Sequence, residues 1–525
     1  MVVLPLIFAG CAVGPAASPS VVAPPPTPGA VAADHPLASQ AGADVLRAGG
    51  NAVDAVIAAA LASGVVQPTG SGLGGGGFAI VVQPGGASTV LDFRETAPAA
   101  ATADMFLAPG TSSVTGGLAV AVPSEGIGLA NLHRRFGRAS LGTIAAPAIA
   151  HAANGFEKGA HLLDGLLRAP EMNALFSPET SARPALAEAL RAWVSTGGEA
   201  FRTGWVAQDM ADAARAAGGV LTVADIAAYA PVEREALTGR YAGRTILTMP
   251  PPSSGGFALL QMLQATEGLP SEHCAVEASK HAMADRAALG GDPDFVTVDT
   301  ARLLSPARIA AIRADCAAKT FPSDHYGVAA GPPQDGGTLH ISVMDASGLT
   351  VALTTTINTS FGSKVIAPKS GIVLNNEMDD FTTKPGTPNM FGLVQGAANA
   401  IVPGKRPLSS MTPTVALGPD GRPELAAGAS GGPTIITTTY QVVRGVLEHG
   451  ETPEQAVSDL RWHHQWLPDM VFVEPGHPGI GALTAAGHTV KETRSFSASQ
   501  VVVRTSTGFA AASEPRKGGA PATVP

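Results

Sequence analysis

The hydrophobic and polar residues of this chain show the periodicity of α-helices in some segments and the pattern of β-strands in others. The chain is therefore predicted to alternate between helices and strands. Helical patterning, with loops, lies in residues 36–64, 124–235, 257–320 and 433–449. In the first of these segments, Gly49 and Gly50 separate two Ala-rich helices, and Asn51 is placed to cap the second. Apolar runs predict strands near residues 78–82, 338–345, 349–356 and 371–375, with another before the last helix. The pattern indicates an α/β protein.

The character of the chain changes after the polar segment 322–336, where helices give way to strands. The sequence Gln334-Asp-Gly-Gly-Thr338 leads from a Gly-Gly turn into the first of these strands. We therefore place a boundary between Gly337 and Thr338. On its own, this segment is more typical of an ordinary Gly-Gly hairpin that leads into a strand.

The charge balance argues against a nucleic-acid-binding protein. The 525 residues include 33 Lys and Arg against 42 Asp and Glu, and there is no long basic run. Glycine and proline are abundant, with 62 and 43 residues, yet 45% of the chain is apolar. This composition favours a packed protein over a disordered one.

The N-terminus resembles a lipoprotein signal. Residues 1–10 form a short apolar run ahead of Cys11, although no Lys or Arg precedes the run. Cys11 would then carry the lipid, and the Pro- and Ala-rich residues 11–30 would be the linker to the folded part. We expect a periplasmic or cell-envelope protein that touches the membrane only through this anchor, because no other segment approaches 18 consecutive apolar residues. Cys274 and Cys316 could pair after export, but the sequence cannot place them together.

The glycine-rich run 70–77 contains a formal G-x-G-x-x-G pattern. In a dinucleotide site this pattern follows a strand and opens a helix, whereas here it follows a helix and opens a strand. The order argues against a nucleotide cofactor. We expect these glycines to allow a close approach of backbones at the end of a buried strand.

Thr338 is our candidate nucleophile. A threonine hydroxyl needs a base within reach, and a threonine at a chain N-terminus carries its own amine. This chemistry requires cleavage of the Gly337–Thr338 bond. Glycine at position 337 suits it, since a residue without Cβ can adopt the geometry in which the threonine hydroxyl attacks the carbonyl behind it.

Two rival chemistries compete with this hypothesis. Gly428-Ala-Ser430-Gly-Gly432 fits the elbow of a serine hydrolase, and Asp469 with His477 or His488 follows in the right order. Metal catalysis is disfavoured because His463 and His464 are neighbours, whose side chains would point to opposite faces of a strand. Neither alternative explains the other motifs of the chain.

Several chemically unusual motifs occur in one order along nearly the whole chain, and together with Thr338 they resemble the γ-glutamyltransferase family. They are His35-Pro-Leu, Gly50-Asn-Ala-Val-Asp54, Leu91-Asp-Phe-Arg-Glu95, Thr356-Ile-Asn358-Thr-Ser-Phe-Gly362, Leu374-Asn-Asn-Glu-Met-Asp-Asp-Phe381, Lys405-Arg-Pro-Leu-Ser-Ser-Met411, Gly428-Ala-Ser-Gly-Gly432 and Ser513-Glu-Pro-Arg516. The resemblance implies a four-layer αββα sandwich of the N-terminal-nucleophile hydrolase type. It also implies a precursor that cleaves itself into a large subunit, residues 31–337, and a small subunit, residues 338–525, which then associate.

The resemblance implies a role for each motif residue. Thr338 would be the nucleophile, Thr356 would orient it, and the N–H groups of Gly431 and Gly432 would stabilise the oxyanion. The remaining positions would bind the two charged groups of a glutamyl donor. Those for the α-carboxylate are Arg94, Ser409 and Ser410, and those for the α-ammonium are Asn358, Glu377 and Asp380.

The implied activity is transfer of the γ-glutamyl group of glutathione, or of related amides, to water or to an amino acid or dipeptide acceptor, without metal or organic cofactor. A loop from Pro385 to Gly392 would cover the pocket, with Phe391 where many family members have Tyr. Leu339 stands where another Thr is usual. These departures leave open a γ-glutamyl-binding lipoprotein that has lost catalysis. A cephalosporin or glutaryl acylase of the same fold is the other alternative, because it shares the nucleophile and the oxyanion hole.

Overall fold

The structure is a computed structural model that describes residues 1–2, 24–317, 319–327, 337–383, 388–393, 395–494 and 497–525. Cys11, the expected signal and most of the expected linker lie outside the described residues, and so do residues 384–387 of the expected pocket loop. No helix among the described residues has the length and apolar character needed to cross a membrane.

The predicted helices are present, and the structure adds short ones between them. The α-helices are α1 (Pro36–Arg47), α2 (Ala52–Val66), α3 (Glu125–Phe136), α4 (Leu141–Asn154), α5 (Ala160–Arg168), α6 (Pro184–Thr196), α7 (Trp205–Ala216), α8 (Val223–Ala228), α9 (Gly255–Thr266), α10 (Glu272–Leu289), α11 (Thr300–Leu303), α12 (Pro306–Asp315), α13 (Thr434–Arg444), α14 (Pro453–Ser458) and α15 (Ile480–Ala485).

The strands predicted from apolar runs also form, and they belong to larger sheets. The strands are β1 (Gly29–Ala33), β2 (Gly76–Val82), β3 (Ser88–Phe93), β4 (Val232–Arg234), β5 (Leu237–Tyr241), β6 (Arg244–Thr248), β7 (Thr338–Asp345), β8 (Thr350–Thr356), β9 (Ile366–Ala367), β10 (Ile372–Val373), β11 (Thr414–Leu417), β12 (Pro423–Ser430), β13 (Trp462–His463), β14 (Val471–Val473), β15 (Val490–Glu492), β16 (Ala498–Thr505), β17 (Gly508–Ser513) and β18 (Ala522–Val524).

Two antiparallel sheets form the centre of the described part of the molecule. Their strand orders are β18-β1-β7-β8-β2-β3-β4 and β17-β16-β12-β11-β6-β5. Both sheets contain strands from before and after the 337/338 boundary, and in the first sheet β1 lies between β18 and β7. The two segments therefore build one shared core and are not separate domains.

The alternation of side chains along β1 shows how the layers stack. Val31 and Ala33 pack into the core formed with α1, α2, α4 and α6. Ala30 and Ala32 instead face the second sheet in a core between the sheets. The outer face of the second sheet packs against α9, α10, α12 and α13. This confirms the four-layer αββα sandwich.

Local signals in the sequence explain where α2 begins. The Asn51 side chain accepts a hydrogen bond from the backbone N–H of Asp54, and the Asp54 carboxylate accepts one from the Asn51 N–H. This capping box starts α2 as predicted. The helix that follows is buried on every side, which is why its residues are almost all apolar.

The glycine run brings backbones together next to the end of β8. A Cβ on Gly75 would lie 1.9 Å from the carbonyl oxygen of Thr356, and one on Gly74 would lie 2.1 Å from that of Val373. No side chain fits at these distances. The run opens β2, as expected, which leaves it without the strand–turn–helix context of a dinucleotide site.

A disulfide joins Cys274 on α10 to Cys316, the residue after α12. The two Cα atoms are 4.5 Å apart. This resolves a pairing that the sequence left open. The bond holds together two helices of the outer layer, on the side of the second sheet.

Candidate active site

Thr338 starts β7 in the middle of the first sheet, where its neighbour across the ladder is Thr356 of β8. The two hydroxyl oxygens are 3.1 Å apart. Each hydroxyl also donates to the carbonyl oxygen of Gly337, at 2.8 Å from Thr338 and 2.7 Å from Thr356. The predicted nucleophile, its orienting partner and the bond to be cleaved therefore lie together in a buried site.

The residues beside Thr338 tolerate little change. A Cβ on Gly337 would lie 2.5 Å from the carbonyl oxygen of Thr69 and 2.8 Å from that of Thr359. Leu339 is buried on the other face of β7, where its side chain packs next to Gly70. Because successive residues of a strand face opposite sides, Leu339 points away from the nucleophile.

Gly431 and Gly432 form the turn between β12 and α13. Their φ angles are 125° and 60°, in the left-handed region that favours glycine. Among the described residues neither N–H donates to a backbone carbonyl or a side chain. Gly432 lines the same cavity as Thr338. The turn thus offers free donors where β12 ends.

The cation and the acids expected to bind substrate contact one another. The Arg94 guanidinium pairs with Glu377 through Nη1 and with Asp380 through Nη2, the latter at 2.6 Å. Its Nε donates to the carbonyl oxygen of Pro407 at 3.4 Å. The groups expected to bind the α-carboxylate and the α-ammonium thus pair with each other in this structure.

Burial controls the protonation of this cluster. It raises the pKa of Glu377 well above its ordinary value, although the Arg94 charge opposes the shift. Burial also raises the pKa of Glu95 to about 8, although the Arg94 charge and the backbone of Glu95 itself oppose the shift. The pKa of Arg94 is raised by its acidic neighbours against the effect of burial. Arg94 therefore remains charged.

The uncharged residues expected at the site are also present. The Asn358 amide nitrogen donates to the Asn376 carbonyl oxygen at 3.0 Å, and its backbone N–H donates to the Thr356 hydroxyl at 2.8 Å. Ser409 and Ser410 line the cavity, and the Ser409 hydroxyl accepts a hydrogen bond from the Met411 N–H. The structure thus brings both substrate-binding sets to one cavity.

The cavity is small, with a free volume of about 20 Å³, which is room for one water molecule. Phe391 lines it and is buried, with Gly432 against its ring. Arg286 of α10 also lines the cavity, and sequence reasoning missed it. Nothing distinguishes Arg286 in the sequence, because it is one charged residue in a helix with charges on several faces.

The serine-hydrolase alternative has no support from the geometry. The Ser430 hydroxyl contacts Asp34 at 3.3 Å and Lys517 at 2.8 Å. The proposed partners lie elsewhere, since Asp469 pairs with Lys280 and His488 contacts His273. His477 pairs with Glu272. The elbow motif therefore forms without a triad.

Two groups of described side chains have the donor types of a metal site. They are His281 with Asp315 and His325, and His273 with Glu277 and His488. A cation borders each one: the Arg308 guanidinium lies 3.3 Å from His281 Nδ1, and the Lys280 ammonium lies 3.8 Å from Glu277. These charges disfavour a metal ion, and both groups lie away from Thr338. His463 and His464 belong to neither.

Residues 38–524 match the family model described as Gamma-glutamyltranspeptidase. The chain belongs to this family. Gamma-glutamyltranspeptidase relatives include the glutathione hydrolase proenzyme of Escherichia coli strain K12, which is 39% identical over 85% of this chain and 83% of the relative. Glutathione hydrolase 2 of Arabidopsis thaliana is 38% identical over 94% of this chain and 93% of its own length.

Solved structures of this gamma-glutamyltranspeptidase fold agree with the architecture. The cephalosporin acylase from Bacillus halodurans superposes with a TM-score of 0.82 at 27% identity, over 98% of this chain and 99% of that one. The gamma-glutamyltranspeptidase of Helicobacter pylori gives 0.52 at 34% identity over 54% of this chain and 90% of that chain. The chain is thus an enzyme of the N-terminal-nucleophile hydrolase type.

Proposed function

We propose that this protein is a self-processing γ-glutamyltransferase and glutathione hydrolase in which Thr338 is the nucleophile. The observation that carries the proposal is the pair of hydroxyls, Thr338 and Thr356, which both donate to the Gly337 carbonyl oxygen. The proposed nucleophile and a second hydrogen-bonding hydroxyl thus both lie at the peptide bond that is to be cleaved. The names of the relatives, glutathione hydrolase proenzymes, support both the substrate class and a processed form.

Self-cleavage begins when the Thr338 Oγ attacks the carbonyl carbon of Gly337. The C–N bond breaks, the hydroxyl proton passes to the leaving nitrogen, and an ester joins Gly337 to the threonine oxygen. The Thr356 hydroxyl stabilises the negative charge that develops on the carbonyl oxygen. Water then hydrolyses the ester, which ends the large subunit at Gly337 and starts the small subunit at Thr338.

Turnover uses the groups that cleavage releases. The new α-amine of Thr338, with an ordinary pKa of about 8, accepts the hydroxyl proton as the oxygen attacks the γ-carbonyl carbon of the donor. The N–H groups of Gly431 and Gly432, which donate to no described residue, stabilise the oxyanion. The amine then protonates the leaving amide nitrogen. Water or the amino group of an acceptor resolves the acyl-enzyme.

Donor recognition rests on the two charged sets in the cavity. Arg94, Ser409 and Ser410 supply donors for an α-carboxylate, whereas Asp380 and Glu377 supply charge for an α-ammonium. The cavity has room for only one water molecule, so a glutamyl substrate can enter only if side chains of the site move. Its binding to Arg94 therefore requires that Arg94 separates from these acids. The α-carboxylate of the glutamyl group can then pair with Arg94, and its α-ammonium can pair with the acids, so each broken ion pair is replaced.

A glutaryl or cephalosporin acylase is the second candidate, and the similarity to a cephalosporin acylase favours it. A glutaryl donor lacks the α-ammonium, so Asp380 would gain no partner when Arg94 turns to the substrate. An unpaired buried charge is costly. The retained acids therefore favour glutamyl donors over glutaryl ones.

The test compares γ-glutamyl-p-nitroanilide with glutaryl-p-nitroanilide, using purified wild type and Thr338→Ala. We expect wild type to cleave the glutamyl donor at least 100-fold better in kcat/KM, and Thr338→Ala to be inactive with both. Equal turnover of the two donors would overturn the glutamyl assignment. An enzyme that turns over neither donor would favour the binding-protein alternative.

We further propose that the protein is exported and anchored through Cys11. The Cys274–Cys316 disulfide supports an oxidising compartment, since cytosolic disulfides are rare. Labelling with a radioactive fatty acid tests the anchor. Incorporation into wild type and its loss in Cys11→Ala is the expected result, and an unlabelled wild type would contradict it.

A further inference from the structure

Arg286 is a buried arginine that has no hydrogen-bond or ion-pair partner among the residues that the structure describes. It lies on α10 and only 1% of its surface is exposed. Its Nε and Nη1 atoms are buried and make no hydrogen bond, and no ion pair involves it among the described residues. By contrast, Arg183 and Arg461, which are equally buried, donate to backbone carbonyl oxygens. An unsatisfied buried guanidinium costs several kcal/mol, so Arg286 requires a reason to be kept there.

The position of Arg286 supplies that reason. Its side chain lines the cavity that holds Thr338, Asn358 and Asp380. Asp380 is the acid that favours its charge most, yet this carboxylate is held by Arg94. Burial lowers the pKa of Arg286 to about 10, so the group stays cationic at neutral pH. The cavity therefore presents a charged donor set that no protein group uses.

The charges of the cavity leave a place for an anion. Asp380 neutralises Arg94, whereas burial raises the pKa of Glu377 well above its ordinary value and that of Glu95 to about 8, which favours the uncharged form of both. The positive charge of Arg286 is left over. A substrate that brings a carboxylate would compensate it, whereas a substrate without one would not.

We propose that Arg286 binds the α-carboxylate of the γ-glutamyl donor and so determines specificity for donors that carry this group. The inference rests on the proposed function. Arg94 contacts the acids, and Arg286 faces the same carboxylate from α10 with free N–H groups. Two arginines then hold one carboxylate, while the acids released from Arg94 receive the ammonium.

The test removes the positive charge of Arg286 from the enzyme and the α-carboxylate from the substrate. The donors are γ-glutamyl-p-nitroanilide and 4-aminobutanoyl-p-nitroanilide, which keeps the amine but lacks the α-carboxylate. For Arg286→Met we expect kcat/KM for the glutamyl donor to fall by about 10- to 100-fold, mainly through KM, as a hydrogen bond to a charged group predicts. The value for the 4-aminobutanoyl donor should stay within about threefold.

Two further variants make the result interpretable. Arg286→Lys keeps the charge and should restore part of the glutamyl preference. Arg308→Met is the matched control, because this arginine also packs on α10, through Asp285, but lies outside the cavity. It should affect neither donor. Production of the two fragments reports that each variant folds.

The outcomes separate the two proposals. Equal loss of both donors in Arg286→Met, or no change in either, overturns the role of Arg286 and leaves the proposed function intact. A wild type that cannot use γ-glutamyl-p-nitroanilide overturns the proposed function itself. If Arg286→Met fails to fold, a glutamyl preference that is unchanged in Arg286→Lys and in Arg286→Gln would refute the inference.

Discussion

The hydroxyl of Thr356 donates a 2.7 Å hydrogen bond to the carbonyl oxygen of Gly337, the carbonyl that Thr338 would attack. We expect Thr356→Val to slow self-cleavage by about 100-fold, because it removes the donor that stabilises the oxyanion. Thr356→Ser, which keeps the hydroxyl, is the control. Mass spectrometry of timed samples measures the fraction cleaved, and cleavage at the wild-type rate in Thr356→Val would refute this role.

A substitution at Gly431 can distinguish the group that stabilises the oxyanion in self-cleavage from the groups that do so in substrate turnover. A Cβ at this position would lie 2.7 Å from the Thr434 hydroxyl and 2.9 Å from Ser497 Cα, with φ at 125°. Gly431→Ala should therefore displace the turn and lower kcat by about 100-fold or more. Self-cleavage should continue, since Thr356 serves that step. Loss of cleavage together with turnover would show that both reactions use this turn.

Glu125 should make stability depend on pH. Burial raises its pKa from the ordinary 4.5 to about 8, although the Ser71 hydroxyl and the Gly72 backbone N–H donate to its carboxyl group. The folded state therefore holds a proton that the unfolded state has lost. The stabilisation is complete below about pH 4.5 and disappears as the pH rises through 8.

Glu125→Gln removes this dependence, because an amide does not titrate. Relative to the variant, wild type should lose about 1.4 kcal/mol of unfolding free energy for each pH unit between 5 and 8. Urea denaturation in a Thr338→Ala background measures this on an uncleaved chain. Parallel stability curves for the two proteins would contradict the prediction.

The Cys274–Cys316 disulfide closes a loop with a sequence separation of 42 residues. Loop-closure entropy predicts a stabilisation of about 4 kcal/mol. Cys274→Ser with Cys316→Ser should lower the Tm by roughly 5 °C. A reducing agent should lower the Tm of wild type similarly and leave the double variant unchanged. Equal sensitivity of both proteins to the reductant would exclude this bond as the cause.

Sequence reasoning succeeded where a feature depends on neighbours in the chain. Asn51 and Asp54 are three residues apart, so their capping box could be predicted from spacing alone. The start of β7 at Thr338 was predictable in the same way, because a Gly-Gly turn before a strand is a local signal. The motif residues needed the family resemblance, and the structure places all the substrate-binding ones in or beside one cavity.

Features that depend on distant contacts were beyond the sequence. Arg94 and Glu377 are nearly 300 positions apart, and only the fold reveals that they neutralise each other. Cys274 and Cys316 could be bonded or free until α10 and α12 were placed. Arg286 could not be identified from the sequence, since its importance rests on buried N–H groups that bond to no described residue.

The position of β7 between β1 and β8 determines what a cut at its first residue can do. The nick would create a new chain end inside an intact sheet, with hydrogen-bonded strands on both sides. The two products could not come apart, or exchange with those of another molecule, without unfolding the whole. Maturation would thus change the covalent structure while leaving a single cooperative folding unit.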